Sequence, residues 1–155
     1  MSEGIAALLA REIAAVSRLT AVLTDEQDAL KRGRVADLQN ITASKVALID
    51  EINSLEAERL KAIGLGGAGE SRGAMEAWLA AHPADERLAV NWKNLLDSAR
   101  EAHHLHRVNA QLIDMHLRQT SEILSILTQS AGAPSLYGAS GQATPTTTSR
   151  IVDSA

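Results

Sequence analysis

Three histidines, His103, His104 and His106, are the side chains most suited to holding a metal, since His103 and His106 lie three apart and share one face of a helix. Two ligands do not close a site. The chain has no Cys and no H-E-x-x-H pattern, and His116 lies roughly 15 Å further along a helix. The spacing therefore predicts interfacial imidazoles and no metal. Gly64, Gly66 and Gly69 fit G-x-G-x-x-G, but a helical pattern precedes them where a dinucleotide turn follows a strand, and Glu70 stands where a phosphate loop needs Lys. Gly138-Ala139-Ser140-Gly141 falls one residue short of a nucleophile elbow and lies in a stretch too polar to fold. Lys45 and Arg59 occupy apolar-stripe positions, where long stems lie on greasy surface while their charges reach water. None of these arrangements proposes a reaction, so no enzyme and no cofactor are expected.

The elements that would position these residues are helices. Ile5, Leu9, Ile13, Val16, Leu19, Leu23 and Leu30 recur at helical spacing, with Arg11, Glu12, Arg18 and Asp25 between them. That helix should run from about Glu3 to Lys31 and stop at Gly33, with Asp28 and Arg32 supporting its last turn. After a tight reversal, Leu38, Ile41, Lys45, Leu48, Ile52, Leu55 and Arg59 form the antiparallel partner. Five of the 10 glycines crowd into residues 64–73, which marks a linker. AMEAWLAA, from Ala74 to Ala81, can make a short helix presenting Trp78 and Leu79, and His82-Pro83 ends it.

From Leu88 to Leu127 the steps alternate between three and four: Leu88, Trp92, Leu95, Ala99, Ala102, His106, Asn109, Ile113, His116, Thr120, Ile123, Leu127. All lie on one seam of a helix expected from about Pro83 to Ser130. The polar middle, His106 and Asn109, must find hydrogen-bond partners or stay wet, and can set the register of pairing. This helix would reach roughly 70 Å, against roughly 43 Å for each of the first two, so its far end has no match in an up-down-up bundle. That end carries Leu112, Ile113, Met115, Leu117, Ile123, Leu124, Ile126 and Leu127, too wide an apolar stripe for a solvated face. Three coverings are open: the Trp78 helix, a second copy of the chain, or a partner's helix. The expected class is all-α, an antiparallel helical bundle of three long helices plus one short helix over residues 1–130, with a flexible C-terminal tail over 131–155.

Composition narrows the partners. With two Trp, one Tyr and no Phe there is little surface for stacking bases, and a net charge of −4 with no basic face argues against nucleic acid. MSEGIAALLARE carries an acid where a secretion signal wants positive charge, and no apolar run approaches the ~18 residues of a membrane span. A cytoplasmic protein without membrane insertion is expected. The tail is poor in charge and apolar residues, yet holds the lone Tyr, Tyr137, which suits a docking anchor.

Together these features resemble the FlgN family of flagellar type III export chaperones over nearly the whole chain. The likeness rests on the leucine-rich first helix, Lys45 followed by Leu48, Ile49 and Ile52, and Trp92 opening the long helix. His106-Arg107-Val108-Asn109-Ala110-Gln111-Leu112-Ile113 is similar to the family's N-x-x-N-G-x-L-[IL], with His106 for the first Asn and Ala110 for Gly. Leu136-Tyr137-Gly138-Ala139-Ser140-Gly141-Gln142 looks like its L-Y-G-x-x-G-Q, and a short Arg-Ile ending is also similar. The resemblance implies a cytosolic chaperone, without enzymatic activity, that holds hook-associated proteins by their C-terminal helical segments and delivers them to the flagellar export gate. Client contact is expected at Leu112, Ile113, Leu117, Ile123, Leu124 and Leu127, which as ordinary bundle core would instead be sealed. Gate docking is expected at Leu136, Tyr137 and Gly138. The competing reading is a generic helical adaptor or regulator that dimerises through the same stripe.

Overall fold

The computed structural model describes residues 2–65 and 73–131. They form four helices, α1 (Ser2–Arg32), α2 (Val35–Ala62), α3 (Ala74–Ala81) and α4 (Glu86–Ser130), and no strand occurs among the described residues. In α1 the buried apolar residues Ile5, Leu9, Val16, Leu23 and Leu30 follow the expected stripe. Fully burying a side chain of this size contributes about 1.5–3 kcal/mol, so this stripe is a main source of the fold's stability.

The reversal into α2 is a glycine-closed helix end. Gly33 takes φ 67°, its N–H donates to the Leu30 carbonyl, and the Arg34 N–H reaches back to the Ala29 carbonyl. Those two bonds satisfy carbonyls that the last turn of α1 would otherwise leave open, at a backbone angle that favours glycine. Asp28 ties the corner by pairing with both Arg32 and Arg34. The same device closes α2, where Gly64 has φ 91° and Leu65 N–H donates to the Leu60 carbonyl. Helix α4 begins three residues later than the sequence suggests. His82 to Asp85 makes a turn first, with the Asp85 N–H on the His82 carbonyl.

The core unites Ile5, Leu9, Val16 and Leu23 of α1 with Met75 of α3 and Leu88, Leu95 and Ala102 of α4. Leu88, Leu95, Ala102 and Asn109 are the buried residues of α4, one per heptad, as the seam requires. Side-chain bonds fix the directions. Glu12 of α1 meets Arg59 near the end of α2, Trp92 near the start of α4 lies under the same guanidinium, and Asn109 meets Leu23 and Glu26. Helix α2 therefore runs antiparallel to α1, and α4 up to Asn109 runs parallel to it. The short α3 is held by buried Met75 and by a hydrogen bond from Trp92 Nε1 to Glu76. Trp78 stacks on His82 with ring centroids 4.0 Å apart, at the point where α3 ends.

The chain divides into two compact units, Met1–Ile113 and Asp114–Ala155. In the second, the described part is the last stretch of α4, and every residue from 114 to 131 is exposed. Its helix is supported locally, by the Asp114–Arg118 pair and by Thr120 and Thr128 hydroxyls donating to the carbonyls of His116 and Leu124.

Candidate functional site

The expected client-contact residues fall on the exposed part of α4. Leu112 is half-buried, while Ile113, Leu117, Ile123, Leu124 and Leu127 are exposed, Leu117 at 65%. Helical geometry places Ile113, Leu117, Leu124 and Leu127 on one face, with Leu112 and Ile123 on an adjoining flank. Met115 and Ile126, outside the expected contact set, are exposed as well. These large apolar side chains on so short a stretch form a patch with no catalytic group among them, suited to burying another apolar helix face. Leu136, Tyr137 and Gly138 lie outside the described residues.

The histidines do not assemble a metal centre. His103, His104 and His106 are exposed, and among the described residues no group of three or more His, Cys, Asp or Glu is placed to hold an ion. Nor, among those residues, is any helix long and apolar enough to cross a membrane.

What positions α4 is a pair of buried polar layers that apolar periodicity does not predict. Glu12, expected at the polar positions between the apolar ones, is 2% exposed, and so is Glu26. Both fall on the strict three-four register of Ile5, Leu9, Val16, Leu19, Leu23 and Leu30, two heptads apart. Lys45 and Arg59, expected to snorkel at an edge, are two heptads apart on α2 and answer them. Arg59 Nε donates to Glu12 Oε1 at 2.7 Å, and Lys45 Nζ donates to Glu26 Oε2 at 2.8 Å. The Arg59 side chain is 6% exposed and that of Lys45 15%, so desolvated carboxylates, rather than water, receive their charges.

Helix α4 completes both layers. At one, the Arg59 guanidinium carbon sits 4.7 Å from the centre of the Trp92 ring, a cation–π contact, while Trp92 Nε1 donates to Glu76 of α3. Glu12, Arg59, Trp92 and Glu76 thus link all four helices. At the other, Asn109 Nδ2 donates to the Leu23 carbonyl at 2.8 Å and to Glu26 Oε1 at 2.9 Å. Two acceptors on one side fix the orientation of the amide, and Asn109 Oδ1 is buried without a hydrogen-bond partner among the described residues. Of the two polar seam residues expected to find partners or stay wet, Asn109 finds partners and His106 stays exposed.

The sequence profile of the FlgN family, described as FlgN protein, matches residues 1–145. The chain belongs to the FlgN family. It is 43% identical over 56 residues to the flagella synthesis protein FlgN of Proteus mirabilis, an alignment covering 36% of this chain and 38% of that protein. The chain thus aligns with well under half the length of that curated FlgN relative. No solved structure matches it.

Burial pushes the Glu12 carboxyl above its ordinary value of 4.5; the Arg59 hydrogen bond and charge pull it down by less, and Glu56 adds to the rise. A folded-state carboxyl that holds its proton more tightly than the unfolded one gives stability that is complete below pH 4.5 and lost as pH rises through the raised value. Unfolding free energies measured by urea titration across that window should fall less in Glu12→Gln than in the wild type. An equal fall would show that Glu12 is not its source. The layer also predicts strong coupling. Arg59→Met alone leaves a buried unpaired carboxylate and should cost about 3–5 kcal/mol, whereas Glu12→Leu with Arg59→Met should lie close to the wild type. Additive losses in that double-mutant cycle would refute the pairing.

Proposed function

We propose that this FlgN-family chain is a non-enzymatic, cytoplasmic export chaperone for hook-associated proteins, with residues 1–130 as the chaperone domain and 131–155 as a flexible tail. The observation that carries the reading is the exposed apolar face of α4. Ile113, Leu117, Leu124 and Leu127 stand 40–65% exposed on a helix that is already formed. Clients of the proposed class have helical ends that would self-associate before assembly, and such a face can bury them until delivery. Leu112 and Ile123 extend the contact along the flank. Leu136, Tyr137 and Gly138 anchor the loaded chaperone on the export gate, the role that the L-Y-G-x-x-G-Q likeness supports. Family membership and the name of the Proteus mirabilis relative, a flagella synthesis protein, favour this over a generic dimeric adaptor.

Calorimetry with C-terminal helical fragments of hook-associated proteins tests the reading. The wild-type chain should bind one such fragment, and Leu124→Asp, which places a charge on the face without touching the buried core, should weaken binding roughly tenfold or more. Binding that is absent, or indifferent to that substitution, would return the protein to the adaptor class. Tyr137→Ala should leave fragment binding intact and reduce affinity for the export gate; unchanged gate affinity would remove the anchor.

A further inference from the structure

Between α2 and α4, with α1 as its floor, lies a cleft of about 250 Å³. All of it belongs to the unit Met1–Ile113. Its origin is a change of residue size along α4: Leu88 and Leu95 fill the bundle, whereas the next turns offer only Ala99 and Ala102, which leave space beside Leu19, Ile49 and Ile52. The α2 wall stays wet, with Ile49 37% exposed and Val46, one turn before it, 52% exposed. This is an open apolar groove, roughly two helical turns long.

Its rim is charged on one side. Lys45, on the α2 wall, is turned to Glu26 Oε2 at 2.8 Å, so its charge is already met. On the α4 side His103 and His106 line the opening, and Arg107 follows His103 by one turn on the same flank. All three are exposed, and none enters a hydrogen bond or ion pair among the described residues. No carboxylate lines the cleft among those residues. Donors without acceptors thus border apolar walls without a filling side chain.

We propose that this cleft docks an acidic peptide segment of a partner protein, seating one large apolar side chain beside Ala99 and Ala102 and a neighbouring carboxylate on His103 and Arg107. Size and charge both select this occupant. An engineered apolar cavity of about 150 Å³ holds a benzene, so the cleft has room for one aromatic or long aliphatic side chain and not for a helix. A carboxylate on the α4 rim gains charge-assisted hydrogen bonds from the guanidinium and the imidazole, whereas a basic segment meets cations it cannot pair with. The openness of the groove favours a peptide over a free amphiphile. A side chain carried by a backbone leaves the rest of its chain in water, while a free alkyl tail would stay half solvated along Val46 and Ile49. The site depends on none of the residues assigned above to client or gate, and it gives the bundle itself a binding role.

Titration of the full-length chain, labelled for NMR, with the capped hexapeptide Glu-Glu-Leu-Phe-Glu-Glu tests the docking. Saturation below about 1 mM is expected, with shifts on the Ala99, Ala102 and Ile49 methyls and on the His103 and His106 rings. The counterpart Lys-Lys-Leu-Phe-Lys-Lys should bind roughly tenfold or more weakly, and Arg107→Ala should weaken the acidic peptide severalfold without affecting the basic one. Ala99→Leu, at an exposed position, should fill the cleft from within and abolish binding while the urea midpoint does not fall. Unmoved cleft resonances at several millimolar peptide, equal binding of the two peptides, indifference to Arg107→Ala, or full binding to Ala99→Leu would each overturn the proposal. So would octanoate moving these resonances where the peptide does not, since the cleft would then belong to a free amphiphile. The shifts are read residue by residue and should be indifferent to Leu124→Asp, so the docking and the chaperone reading fail separately.

Discussion

Two carboxylates buried in the first helix govern the arrangement of the rest. A desolvated glutamate is costly unless a cation and further hydrogen bonds meet it, and Glu12 and Glu26 present that demand at two levels of α1. Helix α2 answers with Arg59 and Lys45 at matching separation, so one antiparallel register satisfies both. Helix α4 is joined to the hairpin through a longer connection that sets no register by itself. Trp92 over Arg59 and Asn109 on Glu26 supply that alignment. Apolar burial provides the driving force, while the polar layers select one among the many seam-compatible alignments.

The same alignment accounts for where burial along α4 ends. Up to Asn109 the seam of α4 buries Leu88, Leu95, Ala102 and Asn109 while Ala99 and His106 stay exposed, and from Ile113 onward all its residues are exposed.

Much of this was legible in the sequence because the relevant signals are local and periodic. The stripes of α1 and α4, the glycine stop at Gly33 and the bounds of the Trp78 helix all follow from spacing and backbone chemistry. Family membership was legible from the Asn109 segment and the tail motif. The buried acids were missed because composition counts Glu as solvent-facing, although matched two-heptad spacings, Glu12 to Glu26 and Lys45 to Arg59, carried the signal. His106 and Asn109 are both polar seam residues, and their fates diverge because Asn109 turns toward α1 while His106 lines an open cleft with Leu19 and Ile52. That split depends on which neighbour occupies each side, which a one-dimensional pattern does not encode.

The last turns of α4 have a further consequence. A helix of some seventeen residues is marginal alone in water, because nucleation is costly and propagation barely favourable. Here the nucleus is inherited from the buried part of the same helix, and each exposed turn propagates from it with only local side-chain support. Backbone amides should therefore exchange with solvent in a gradient, slowest near Asn109 and fastest toward Ser130. A guest that docks there would find a template whose ordering cost is largely met, and would lengthen its lifetime most at the fraying tip.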